Sequence, residues 1–331
     1  MIPFKTRGTC LVPLICMVML TPVLFSCNNQ SESSQDQDAP ESLIEDTSPA
    51  PGIVDVKAVG LTLEAEDEIP SGWTTFRFIN DSDMIHLAFL YKLPSGKRIA
   101  DHKDLAPIFQ NFMDQINGRP LSDPEAGMEI PEWFGQVVTF GGPGLLSKNS
   151  TSETTVYMEP GIYLIECYVK TDGIFHSYNS SPTEYGMVHE FTVTTENNGV
   201  DEPEPSINIS VSGENGMTVS GDIIAGKHMV RVDFVDQKPH ENFQGHDVHL
   251  VQLNDDSEIS QILKWVDWRE PTGLQTPAPS GIFLGGTNEL PAGGTAYFSV
   301  DLDPGKFVWI SEVPNADEKG LMIEFEVSGS Q

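Results

Sequence analysis

The chain carries two copies of one pattern, and that repetition constrains its fold more than any other feature. Thr75-Phe76-Arg77-Phe78-Ile79-Asn80, followed by His86-Leu87-Ala88-Phe89-Leu90-Tyr91-Lys92-Leu93, recurs as Val230-Arg231-Val232-Asp233-Phe234-Val235-Asp236, then His246-Asp247-Val248-His249-Leu250-Val251-Gln252-Leu253. The closing segments match as well, Met158-Glu159-Pro160-Gly161-Ile162-Tyr163 against Leu302-Asp303-Pro304-Gly305-Lys306-Phe307. Each copy ends on a segment that starts with Gly, Gly186-Met187-Val188-His189 and Gly320-Leu321-Met322-Ile323. Cys167 and Met187 of the first copy therefore correspond to Ser311 and Leu321 of the second.

Each copy opens with short strands, Ile53 to Val59 and Leu61 to Ala65 in the first, Ile207 to Val211 and Met217 to Val219 in the second. Period-2 alternation, β-branched content and frequent Gly/Pro turns predict antiparallel sandwich strands. The expected fold class is all-β, two tandem Greek-key β-sandwich domains with short helical insertions. One insertion is marked by apolar residues three and four apart from Asp104 to Ile116, the other more briefly from Glu258 to Trp268. Both precede a Gly pair, Gly141-Gly142 and Gly285-Gly286, expected to be turns. An acidic, Pro-rich stretch at 197–204 separates domains expected at 53–196 and 205–329.

The first 26 residues are set apart from the fold. Lys5 and Arg7 precede an apolar run interrupted by Pro13 and Pro22 and too short to span a bilayer as an ordinary helix, so the segment is expected to be a signal peptide. Leu24-Phe25-Ser26-Cys27 resembles the bacterial lipoprotein cleavage box, which implies a lipidated Cys27 and anchoring to a lipid bilayer through acyl chains. The region 27–52 is rich in Ser, Gln, Asp, Glu and Pro and is expected to be a solvated tether. Asn28 stands where an inner-membrane retention signal would carry Asp, which points to the outer membrane or cell surface, with the periplasmic face also open.

The whole chain has a formal charge of −31, with 18 Lys and Arg against 49 Asp and Glu. Such a balance excludes nucleic acid as a partner, because phosphate binding needs basic stripes. Once Cys10 and Cys16 leave with the signal and Cys27 is acylated, Cys167 is the one free thiol that remains, and no intrachain disulfide can form. An unpaired Cys in an exported protein calls for an explanation.

The first copy offers one. A hydrophobic strand ending in Asn80, then His86, a Pro-Gly-x-Tyr turn into a strand carrying Cys167, then His176, and Gly186-Met187 before a final strand together resemble the cupredoxins, the β-sandwich family of plastocyanin and azurin. The resemblance implies one copper ion held by His86, Cys167, His176 and Met187, with Met187 as the weak axial ligand, and an electron-transfer or copper-handling role with a redox or surface protein as partner. Two imidazoles and a thiolate with a distant thioether suit both copper oxidation states. Eight residues separate Cys167 from His176 and ten separate His176 from Met187, against the two to four usual in the family.

The second copy keeps His246 but lacks the other ligands, and His246 and His249 are expected on opposite faces of their strand. No oxyanion element adjoins Cys167, and eight His in all are too few for the paired clusters of a multicopper oxidase, so no enzyme is expected. The alternative left open is a metal-free β-sandwich serving as a binding or structural module of a surface assembly.

Overall fold

Alternation along β3 (Glu68–Asp81) sets the architecture: Thr74, Phe76, Phe78 and Asn80 are buried while the residues between them are half-buried. The corresponding strand of the second repeat, β13 (Gly226–Phe234), buries Val230, Val232 and Phe234 in the same rhythm. The protein is represented by a computed structural model that describes residues 50–329, apart from 51, 182, 242–244 and 268. The expected signal segment, Cys27 and nearly all of the tether lie outside the described residues, as does Trp268 at the end of the second helical stretch. Among the described residues no helix is long and apolar enough to cross a membrane.

In the first repeat β1 (Ile53–Val59), β2 (Thr62–Glu64), β3, β4 (Phe89–Lys92), α1 (Ile99–Ile116), β5 (Val138–Thr139), β6 (Ser150–Met158) and β7 (Gly161–Glu166) are followed by a small hairpin, β8 (Lys170–Thr171) and β9 (Ile174–Phe175), and by β10 (Val188–Asn197). The second repeat runs β11 (Ile207–Ser212), β12 (Gly216–Gly221), β13, β14 (Val248–Leu253), α2 (Ile259–Val266), β15 (Ile282–Thr287), β16 (Thr295–Leu302), β17 (Gly305–Ile310) and β18 (Met322–Val327). The repeats agree element for element except for the β8–β9 hairpin and a 3-10 turn at Glu132–Gln136, both found in the first repeat.

A single back layer runs through both repeats in the order β2-β1-β3-β6-β16-β13-β11-β12. Each repeat covers its half with a front layer, β10-β7-β4-β5 in the first and β15-β14-β17-β18 in the second. The result is a mostly β sandwich. Phe76 on Phe191 and Phe298 on Trp309 join back to front, with ring centroids 6.0 and 5.7 Å apart. Burying each such side chain contributes roughly 1.5–3 kcal/mol. Tyr163 and Phe307, which follow the two Pro-Gly turns, are fully buried corner residues.

Three local expectations are corrected. The layers are mixed, since β1–β3, β3–β10 and β11–β13 pair in parallel. Alternation reports which face is buried and is silent on strand direction. α1 begins at Ile99, five residues before the apolar stretch, because the Asp101 carboxylate accepts the Arg98 N–H at 3.0 Å and closes the first turn. Gly285 and Gly286 lie inside β15, and a Cβ on Gly142 or Gly286 would fall 2.3 Å from the Ala88 carbonyl or 2.1 Å from the Val248 carbonyl. These glycines allow close approach of strands where turns were expected.

The repeats are related by an approximate two-fold axis through the back layer. Thr154 in β6 pairs with Phe298 in β16, each four residues before the end of its strand. Pro143 bridges Thr287, and each lies two residues past the first Gly of its pair.

Candidate metal centre

Three of the four expected ligands meet at one buried point. Cys167 Sγ lies 3.4 Å from His86 Nδ1 and 3.7 Å from His176 Nδ1, and the two Nδ1 atoms are 3.2 Å apart. A triangle with these sides has its centre about 2.0 Å from each corner, close to the bond lengths that nitrogen and sulfur donors make to a first-row metal ion. His86, Cys167 and Met187 are fully buried and His176 is 4% exposed.

Backbone pairing holds each donor. His86 follows β3 and exchanges both main-chain hydrogen bonds with Leu146, 3.2 Å for its N–H and 2.8 Å for its carbonyl. Asn80, at the end of β3, donates from Nδ2 to the carbonyls of Met84, Leu146 and Ser147, and so clamps the His86 loop to the segment before β6. The strand-ending Asn noted in the sequence thus positions His86. Cys167 directly follows β7, and its N–H donates to the Met187 carbonyl at 3.0 Å, while Met187 N–H donates to the His176 carbonyl at 2.7 Å. Met187 therefore reaches the same corner through its backbone, next to both neighbours in the expected set.

The long gap from Cys167 to His176 is taken up by the β8–β9 hairpin. Lys170 and Thr171 pair with Phe175 and Ile174, and His176 N–H returns to the Val169 carbonyl at 2.8 Å. Eight residues fold back on themselves and deliver His176 two residues' reach from Cys167. His189, by contrast, lies within β10, with its Nε2 3.5 Å from Asp67, and takes no part.

Burial decides the charge of these donors. It lowers His86 to about 4; it also lowers His176 to about 3, helped there by the neighbouring His86. Burial pushes the Cys167 thiol up to about 12. At neutral pH the site therefore presents two neutral imidazoles and a thiol, and a bound cation must displace the thiol proton. A cation also needs a lone pair on His176 Nδ1, which places the ring hydrogen on Nε2. Thr171 Oγ1 accepts it there at 2.9 Å and in turn reaches Thr276 Oγ1 of the second repeat at 2.7 Å. Among the described residues His86 Nε2 has no partner at hydrogen-bonding distance, although the Gly60 backbone in the β1–β2 turn lies on its side. Two imidazoles, one thiolate and an adjoining Met fit one copper ion.

The second repeat shows what the same corner becomes without a metal. Ser311 N–H donates to the Leu321 carbonyl at 3.0 Å, reproducing the Cys167–Met187 link, but Ser311 Oγ donates to Asp247 at 2.7 Å. His246 Nε2 donates to the Asp236 carbonyl at 2.7 Å and its ring stacks on Phe234.

Sequence reasoning overlooked a further buried cluster, Asp247, His249 and Glu312. His249 Nε2 lies 2.9 Å from Asp247 and 3.0 Å from Glu312. Burial pushes the ring's pKa down, and the two carboxylates pull it back up past its usual value to about 10. A charged ring would, however, aim an N–H from Nδ1 at the Leu145 N–H, which sits 3.1 Å away as a donor. His249 is therefore the neutral Nε2–H form, and the shared proton belongs with Glu312, whose carboxyl is raised by burial. With Nδ1 accepting and Nε2 donating, the ring has no lone pair left for a metal. Asp247 and Glu312 approach His249 from positions 65 residues apart, so no local spacing announces the cluster.

No family model matches the sequence, and no curated protein matches it. Among solved structures the chain is similar to auracyanin A, a "blue" copper protein from Chloroflexus aurantiacus, at 20% identity over 44% of this chain and 100% of that one, with a TM-score of 0.25. It is also similar to auracyanin from Roseiflexus castenholzii at 20% identity over 44% and 99%, TM-score 0.23, and to copper nitrite reductase from Nitrosomonas europaea at 12% identity over 84% and 94%, TM-score 0.21.

Proposed function

We propose that the chain is an exported, membrane-anchored protein with tandem domains at 53–196 and 205–329, the first of which binds one copper ion and transfers electrons. The observation that carries this reading is the convergence of His86 Nδ1, Cys167 Sγ and His176 Nδ1 within 3.2–3.7 Å of one another. Copper, when bound, supplies one-electron redox chemistry.

The protein's own residues supply the rest. His86 and His176 offer neutral nitrogen donors, Cys167 gives up its proton, and Met187 completes the corner. Asn80 and the β8–β9 hairpin hold the donors in place, so little rearrangement accompanies a change of charge. Burial of every donor favours electron transfer over copper delivery, since handing over an ion requires a partner's ligands to reach it. The second repeat, with Ser311 and Leu321 in place of Cys and Met, serves as a metal-free companion.

Purified protein titrated with Cu(II) is expected to develop thiolate-to-copper charge-transfer absorption in the visible, absent from Cys167→Ser. A protein that stays colourless overturns the copper reading and leaves a metal-free β-sandwich module. The anchor is tested separately, by incorporation of labelled fatty acid that depends on Cys27.

A further inference from the structure

A cavity of about 280 Å³ opens between α1 and the front layer of the first repeat, beside but separate from the three donors. Its walls are Phe89, Tyr91, Phe109, Phe134, Tyr168 and Phe175 with aliphatic residues of α1. Phe109 and Phe134 are half-buried at its rim and pack edge to face, with centroids 5.4 Å apart.

The polar groups are few and nearly all committed. Tyr91 donates its hydroxyl hydrogen to Glu166 Oε2 at 3.1 Å, and His102 Nε2 does the same at 2.9 Å. Tyr168 donates to Glu312 at 3.0 Å. Glu289, on another wall, accepts the Gly245 N–H at 2.9 Å, and burial with nearby Asp247 pushes its carboxyl up to about 8, so it adds no full second charge at neutral pH. What remains is acceptor capacity, above all Glu166 Oε1, which has no hydrogen-bond partner among the described residues.

The second repeat argues that this is not a by-product of the fold. Strand pairing places Ile310 where the first repeat has Glu166, and Val251 where it has Tyr91. Both are fully buried apolar residues. The first repeat instead keeps a carboxylate and two donors in an aromatic chamber.

We propose that the cavity binds a neutral, fused two-ring aromatic molecule bearing one ring N–H or O–H, with Glu166 receiving that hydrogen. A dry cavity of about 150 Å³ accommodates benzene, so this volume suits two rings. Aromatic walls offer stacked and edge contacts. An ammonium would bring three donors and a charge to be desolvated, whereas a ring N–H brings the one donor for which an acceptor stands ready.

The test uses the folded, metal-free protein with indole and its isostere benzofuran, which lacks the N–H, followed by calorimetry and by the melting temperature. Indole is expected to bind and to raise the melting temperature, benzofuran to bind about tenfold more weakly, the effect of one hydrogen bond to a charged acceptor. Glu166→Gln should erase that preference, and Ala106→Leu, which projects from α1 into the cavity, should remove binding of both. Failure of folded wild-type protein to bind indole, equal binding of indole and benzofuran, or wild-type affinity in folded Ala106→Leu each overturns the proposal. None of these results bears on the copper site, whose donors the probes do not touch.

Discussion

Tyr168 and Glu312 occupy the same position in the two repeats, one residue past Cys167 and Ser311, and they touch: the tyrosine hydroxyl donates to Glu312 Oε2 at 3.0 Å. Equivalent residues can meet only near a two-fold axis, so this contact and the Thr154–Phe298 pair mark the same seam. Tyr168→Phe leaves a fully buried Glu312 without that donor and is expected to destabilise the protein by about 1–3 kcal/mol. The urea midpoint measures it; a shift within about 0.5 kcal/mol, the scatter of neutral changes, means the contact contributes nothing.

Gly142 and Gly286 are a second equivalent pair, with φ of +92° and +131°. Each needs a backbone region that L side chains rarely adopt, and each has a carbonyl where a Cβ would stand. Alanine at either position should destabilise by about 2 kcal/mol or more, with similar losses at both because the constraint is the same on each side of the axis. Equal stability of Gly286→Ala and wild type in urea denaturation would show that β14 and β15 separate easily.

Much of this was legible in the sequence because it is written locally. The alternation around Phe76 and Phe78 and the Pro-Gly corners before Tyr163 and Phe307 lie within short windows, and His86, 81 residues before Cys167, was legible through the order of the set His86, Cys167, His176 and Met187. The hairpin that brings His176 back was not, since two-residue strands carry no periodicity; it was visible only as an overlong gap. The Asp247–His249–Glu312 cluster and the Thr171–Thr276 contact were hidden for another reason. The cluster joins residues 65 positions apart within the second repeat, and the contact joins residues 105 positions apart across the two repeats, so no short window contains either.

Glu289 gives the protein a predicted pH dependence. Its carboxyl titrates near about 4.3 when unfolded and is raised to about 8 in the fold, by burial and then by Asp247. Between those values the folded state keeps a proton that the unfolded state has released, so stability falls as pH rises. The contribution is fully present below about 4.3 and gone above about 8. Because the residue as a whole is only half-buried, the slope falls short of one full proton. Urea midpoints from pH 5 to 8 should decline less steeply in Glu289→Gln than in wild type, with the variant gaining most at pH 8. Parallel profiles for the two proteins would contradict this assignment.

The hydrogen bond from Thr171 to Thr276 makes the second repeat a contributor to the proposed copper site of the first. With His176 Nδ1 turned to the metal, the ring hydrogen on Nε2 must find an acceptor, and Thr171 Oγ1 is a good one only while its own hydrogen goes to Thr276 Oγ1 at 2.7 Å. Such outer partners orient a ligating imidazole and raise its basicity. Thr276→Val keeps the shape and removes the acceptor, leaving every metal donor intact. The charge-transfer absorption should therefore persist, while competition with a chelator should show copper held about 10–100-fold more weakly. Unchanged affinity would mean that Thr171 orients His176 alone; loss of the absorption itself would mean that the second repeat shapes the donor triangle and not merely its surroundings.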